Sequence, residues 1–190
     1  MKSDYVYEGN FKNEDYSVKI LEKGDYECCS FQNCSLAQSD LRGFKFIDTE
    51  FVDCDLSNCK ITQASFQDVK FKNCKLLGLK FDTASSFGFS VKFTACKLND
   101  SSFYKMKLSR CSFSECSLHD VDFTQADLKS VQIRNSDLLN SVFYNSILEK
   151  ADFKDSINYS IDPENNRIKK AIFSVPEVLG LLYKYQIVVE

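Results

Sequence analysis

The chain has 190 residues, 44% of them apolar, and a formal net charge of -3. That length suits one domain, and the absence of a basic excess argues against direct nucleic-acid binding. No apolar run approaches the roughly 18 residues of a membrane span, and Met1 to Asn10 lacks the apolar stretch of a secretory signal, so a cytoplasmic protein with no membrane partner is expected.

Met1 to Asn10 is polar and is expected to be loosely held. Phe11, Tyr16, Leu21 and Tyr26 then fall five apart without small residues behind them. Residues 1–30 therefore read as an N-terminal segment and a degenerate coil that caps a rod, since terminal repeats of solenoids are atypical.

From Phe31 the spacing of five becomes strict. One run of large residues reaches Phe81 and a second goes from Phe93 to Phe153, and all 24 positions are Leu, Ile or Phe. Between Cys111 and Ser130 a small residue stands two before each large one, Cys111, Cys116, Val121 and Ala126 preceding Phe113, Leu118, Phe123 and Leu128. Five is neither the helical nor the strand period, so this is a repeat. Every twentieth residue matches as well: Leu36, Leu56, Leu76, Leu98, Leu118 and Leu138 form one row, allowing two extra residues between Phe81 and Phe93. Four pentads thus make one coil, and coils stack like on like. Residues 31–157 are expected to form an all-β, four-sided β-solenoid. The two inserted residues lie within Asp82 to Lys92. Gly88 suggests a bulge there, with Phe87 as the expected inward residue. The insertion is either a register correction or a binding loop.

Eight of the nine cysteines occupy the small inward position, Cys28 being out of phase. Cys34, Cys54, Cys74, Cys96 and Cys116 share one row and should form a buried ladder of free thiols acting as small hydrophobes. Stacked strands ~4.8 Å apart hold parallel Cβ atoms slightly too far apart for a relaxed disulfide. A soft-metal or redox site is the competing reading.

The repeat is expected to break at Asn158, leaving residues 158–190 as a turn, a helix and a strand. Asp162-Pro163 marks the turn. Ser174 and Glu177 read as a capping box for a short α-helix from Val175 to Lys184. Val178, Leu181, Leu182 and Tyr185 lie near one face of it, and Ile187 to Val189 reads as a short strand. Val178, Leu181, Leu182, Tyr185, Ile187 and Val189 are the candidate residues for capping the rod, for pairing with a second copy, or for both.

Ala126-Asp127-Leu128, Ser136-Asp137-Leu138 and Ala151-Asp152-Phe153 fit the loose consensus A-[D/N]-L-x-x. In these motifs and in its period the chain resembles the pentapeptide-repeat family over roughly residues 11–157. The resemblance implies a right-handed quadrilateral β-helix. It extends to the gyrase-directed branch, the Qnr-type and microcin B17 immunity proteins, in overall length and in the tail Ile161-Asp162-Pro163-Glu164-Asn165-Asn166-Arg167-Ile168. That branch resembles duplex DNA, binds DNA gyrase or topoisomerase IV, protects it from quinolone or microcin-type poisons, and pairs tail to tail. By this resemblance Glu115, Asp120, Asp122, Asp127, Asp137, Asp152 and Asp155 would stand in for phosphates and the chain would be a homodimer.

No enzyme is read from the residues. The single histidine, His119, comes directly after an inward leucine and should face solvent, and a filled rod has no pocket for a base held by a third group. No metal or cofactor is expected. Residues 40–107 hold 11 basic and 8 acidic side chains, and residues 108–155 hold 5 and 8. Lys60, Lys70, Lys75, Lys80, Lys92 and Lys97 stack in the middle coils, where each lysine over lysine should cost a few tenths of a kcal/mol, about what an acid over a lysine contributes. The lysines form either a solvated surface or a basic girdle for a partner. A scaffold or protein-binding rod with a non-topoisomerase partner is the alternative function.

Overall fold

The computed structural model describes residues 4–189. These include thirteen short strands: β1 (Asp4–Tyr7), β2 (Asn10–Lys12), β3 (Gly24–Glu27), β4 (Ser30–Gln32), β5 (Lys45–Ile47), β6 (Glu50–Val52), β7 (Ser65–Gln67), β8 (Val69–Lys72), β9 (Val91–Thr94), β10 (Ser112–Ser114), β11 (Gln132–Arg134), β12 (Asp152–Phe153) and β13 (Ile172–Phe173). All their pairings are parallel. β2, β4, β6 and β8 to β13 build one nine-stranded wall, and β1, β3, β5 and β7 build a second. Single-residue bridges form the other two, one through Ser35, Asp55, Lys75, Lys97, Ser117 and Asp137, the other through Ser102, Asp122 and Val142. Four ladders per coil, in steps of twenty residues, make an all-β parallel solenoid of about eight turns. At ~4.8 Å per step the nine-stranded wall is roughly 38 Å long.

The axis is filled with side chains. Phe31, Phe51, Phe71, Phe93 and Phe113 stack face to face at 4.7 to 5.6 Å between ring centroids. Phe81, Phe103, Phe123 and Phe143 form a second column at 4.8 to 5.4 Å. The columns meet edge to face, as in Phe103 on Phe113 at 5.5 Å and 88°, the arrangement that aromatic quadrupoles favour. All nine cysteines are free, and the eight inward ones are buried. The small inward residues do more than fill space. Cys59 Sγ donates to the Leu36 carbonyl (2.9 Å), Ser146 Oγ to Phe123 (2.8 Å) and Ser156 Oγ to Ile133 (2.8 Å). Each thus ties its coil to the large residue of the coil beneath.

Four expectations are corrected. Part of the N-terminal segment is ordered into the rod: β1 pairs with β3, while Met1 to Ser3 lie outside the described residues. Gly24 permits this, because a Cβ there would stand 2.2 Å from the Asp4 carbonyl oxygen. Stacking also continues past Asn158, with Asp152 and Phe153 paired to Ile172 and Phe173. Phe87 does not point inward; it is 78% exposed, and Phe89 takes the core position against Phe66 and Phe81. The inserted residues are spent before Phe89, and Ser90 rejoins the ladder through the Phe66 carbonyl.

The fourth correction concerns the tail. The expected α-helix is a pair of 3-10 turns, Glu177–Leu181 and Tyr183–Tyr185, and residues 187–189 form no strand. The Ser174 hydroxyl that was to cap the helix is engaged with Asp155, accepting its N–H at 2.9 Å and donating to Oδ1 at 3.1 Å. Gly180 lies so close to the rod end that a Cβ would sit 2.2 Å from the Tyr159 carbonyl oxygen. The segment tracks that surface, and Val178 donates an i to i-4 bond to Ser174.

Candidate interaction surface

A rod with a packed axis can recognise partners only from outside. The seven candidate acidic residues do not share one face. Asp122, Asp127, Asp137 and Asp152 sit on four different ladders, next to Ser102, Lys107, Ser117 and Gln132 respectively. Glu115 and Asp155 stand on one corner and Asp120 on the next, all three with positive φ. The structure brings together Glu115, Asp137 and Asp155, which line a shallow depression with His119.

Four of these carboxylates have a local task. Asp122 Oδ1 accepts the Thr124 N–H (2.8 Å), Asp127 that of Lys129 (3.1 Å), Asp137 that of Leu139 (3.2 Å) and Asp152 that of Lys154 (3.0 Å). Asp40, Asp55 and Asp162 do the same for Arg42, Ser57 and Glu164. The aspartate before the large residue therefore closes an Asx turn at the corner of the coil, a role the sequence reading missed. The signal was present in the consensus itself, which keeps Asp or Asn at that position. Asp152 is also buried and clasped by the Arg134 guanidinium.

His119 stands outside the core, as expected, but it is half-buried and its Nε2 is shut off from solvent. Its Nε2 lies 2.9 Å from Asp137 Oδ2 in poor alignment for a hydrogen bond. Partial burial pushes the Asp137 carboxyl up, but donation from Asn158 Nδ2 and the Leu139 N–H, with His119 alongside, outweighs it and holds the group below the ordinary carboxylate range. The neighbouring Ser117 hydroxyl donates to Asn99 Oδ1 at 2.7 Å and not to His119. Serine, histidine and aspartate are close here without forming a nucleophile–base relay. Among the described residues no group of three metal-ligating side chains converges.

The six candidate lysines stack in the middle coils. Lys70 pairs in register with Lys92, and Lys75 with Lys97, on adjoining walls; Lys60 and Lys80 lie on a third. All six are exposed. The charge is banded along the rod. Residues 60–110 hold ten lysines and arginines against three aspartates, residues 1–59 hold six basic and twelve acidic side chains, and residues 111–190 hold eight and twelve.

The tail residues divide by direction. Leu181 packs against the core and Val178 is half-buried, whereas Leu182, Tyr185, Ile187 and Val189 are exposed. Leu182, Ile187 and Val189, with Leu179, Tyr183 and Gln186, line an open groove of about 500 Å³. Lys184 Nζ clamps the tail to Asp162 Oδ1 (2.7 Å) and Glu164 Oε2 (2.6 Å). Its donation holds both carboxyls below their ordinary values. No helix among the described residues is long and apolar enough to cross a membrane.

A family model described as a pentapeptide repeat region matches residues 25–86 and 88–159. No curated protein matches the chain significantly. Among solved structures, a trypsin-treated form of QnrB1, a plasmid-mediated fluoroquinolone resistance protein, superposes over 98% of this chain and 100% of its own, at 14% identity and a TM-score of 0.51. A second trypsin-treated form of QnrB1 covers 97% and 99%, at 18% identity and 0.48. HetL, a pentapeptide repeat protein involved in heterocyst differentiation regulation from the cyanobacterium Nostoc sp., covers 90% and 88%, at 14% identity and 0.45. At these identities the likeness is one of fold.

Proposed function

We propose a function from one premise: this chain belongs to the pentapeptide-repeat family. The rod is a non-enzymatic recognition surface. Its partner is a type II topoisomerase, DNA gyrase or topoisomerase IV, which it protects from poisons such as quinolones or microcin-type peptides. The observation that carries this reading is the end-to-end superposition on QnrB1, 98% of this chain on 100% of that one, tail included. QnrB1 is by name a fluoroquinolone resistance protein, and that activity is carried to this chain here. The reading places the protein in the cytoplasm, where the topoisomerase is.

DNA mimicry in this reading belongs to the C-terminal coils. Glu115 and Asp120 carry no contact with a neighbouring cation among the described residues and serve best as phosphate substitutes, with Asp155 beside Glu115 in the same depression. Asp122, Asp127, Asp137 and Asp152 contribute charge while holding their turns. The tail groove pairs two rods, with Leu182, Ile187 and Val189 facing the second copy. A supercoiling assay tests the function. Purified protein added to gyrase and a fluoroquinolone restores supercoiling, and gyrase poisoned at every protein concentration sinks the reading.

A second reading is a rod whose partner is not a topoisomerase. The lysine band favours it, because a positive middle interrupts any continuous negative face.

A further inference from the structure

We infer that the lysine band is a docking surface for an acidic, extended protein segment, one that presents carboxylates on alternate residues. This deepens the second reading, and it stands or falls apart from the topoisomerase reading.

Of the ten cations in residues 60–110, only Lys75 and Arg110 have an ion pair among the described residues, with Asp55 and Asp68. The pairing rule differs elsewhere on the rod, where Lys45, Arg134 and Arg167 each reach a carboxylate of an adjacent coil. Acids stand in register at the edges of the band, Asp40 on Lys60, Glu50 on Lys70, Asp55 on Lys75 and Asp127 on Lys107, yet of these lysines only Lys75 closes an ion pair. Above Lys80, Lys92 and Lys97 the next coil places Ser102, Ser112 and Ser117 in register. The cations are also stacked on each other, Lys70 on Lys92 and Lys75 on Lys97. Like charges directly opposite are destabilising, so the arrangement works against the fold's own stability and leaves the charge for something outside it.

The geometry matches an extended chain. Lys70 and Lys72 both point outward from β8, two residues apart, while Val69 and Phe71 are buried. Two residues of strand span about 6.6 Å, the same repeat as carboxylates on alternate residues of an extended partner. Lys92 in the adjacent strand adds a cation ~4.8 Å from Lys70, and Lys75 and Lys97 continue the patch around the corner.

Nucleic acid fits less well. A duplex places a charge every ~1.7 Å of its axis, so along the rod it would overrun the band onto two ends of net charge -6 and -4. A single strand needs exposed aromatic faces to stack on. The exposed aromatics of this stretch, Phe87 and Tyr104, lie outside β8 and β9, and the Tyr104 ring is already covered by Lys105 Nζ at 4.7 Å. Nine of the ten cations are lysine, which offers a point charge without the bidentate fork of arginine.

The test is fluorescence anisotropy with a labelled peptide of alternating glutamate and threonine, against duplex and single-stranded DNA of equal charge, at physiological salt. The full chain binds the peptide more tightly than either DNA. Lys70→Glu with Lys92→Glu weakens peptide binding by about tenfold or more, and Lys75→Gln with Lys97→Gln weakens it in the same sense without introducing acid. Lys129→Glu with Lys150→Glu, outside the band, leaves it unchanged. Circular dichroism confirms that each variant is folded. Absence of peptide binding, tighter binding of either DNA, or equal losses from the control pair overturns the proposal. Gyrase rescue is read separately, so either idea can fail alone.

Discussion

Asp127 has two faces to its chemistry: a charge offered to solvent and an oxygen bonded to the Lys129 N–H. The same double use recurs along the chain, so acid content in this fold measures turn formation before it measures recognition. Most inward thiols carry the opposite lesson, since burial suppresses their chemistry; Cys54 and Cys96 are the exceptions, each held below its ordinary value by the adjoining Cys74 thiol. Burial pushes Cys59, Cys111 and Cys116 from an ordinary value of 9.0 up to about 12. A thiol that resists ionisation in the fold binds its proton more tightly there than in the unfolded chain. Its stabilising effect is complete below pH 9 and is lost as pH rises from 9 towards 12. Urea midpoints measured under reducing conditions should therefore fall between pH 8 and pH 11, and a variant with serine at these three positions should fall less. At neutral pH a thiol reagent should reach only half-buried Cys28 in the native protein, and Cys28 itself slowly, because desolvation and then Asp48 raise its pKa too. Ready labelling of the buried column without denaturant would contradict the packed axis.

At the scale of elements, the wall strands were legible and the tail was not, for a physical reason. Phe51, Phe71 and Phe93 each see the same surroundings one coil away, so a local period reports a long-range structure. The buried aromatic columns, the sulfur row and the lysine stacks came from that periodicity alone. The tail is single-copy, and its shape is set by what it lies on. Ser174 and Glu177 carry the letters of a capping box, yet the serine side chain is taken by Asp155. Phe87 and Phe89 are alike as residues, and only the path of the insertion decides which is buried. The Asx role of the aspartates was hidden differently: a polar residue at a corner looks the same whether it holds a turn or meets a partner. Gly180 tests the account of the tail. Replacing it with alanine puts a Cβ against the Tyr159 carbonyl oxygen, so the tail must lift from the rod end. The expected loss is about 1–3 kcal/mol, seen as a lower melting temperature and as faster proteolysis after Tyr183. An unchanged melting temperature would mean that this docking contributes nothing.

The whole molecule is a stack in which each coil is stabilised by its neighbours, so its two ends are its weak points. An open end displays unpaired strand edges, which invite association with other chains. At the C-terminal end the tail turns its side chains in two directions. Leu181 turns inward and covers the last coil, while Ile187 and Leu182 turn outward around the open groove. Capping and pairing should therefore separate by mutation. Leu181→Glu places a charge against the apolar end of the rod, where an unpaired buried charge costs several kcal/mol. It should lower the melting temperature and promote aggregation on heating. Ile187→Glu leaves the cap in place and puts like charges into the groove through which two rods are proposed to pair. It should halve the mass measured by light scattering while changing the melting temperature little. Should both variants lose stability together, the tail is one cooperative unit and the outward residues belong to the cap. Should the mass of the unmutated protein already be that of a monomer, the groove does not pair two rods.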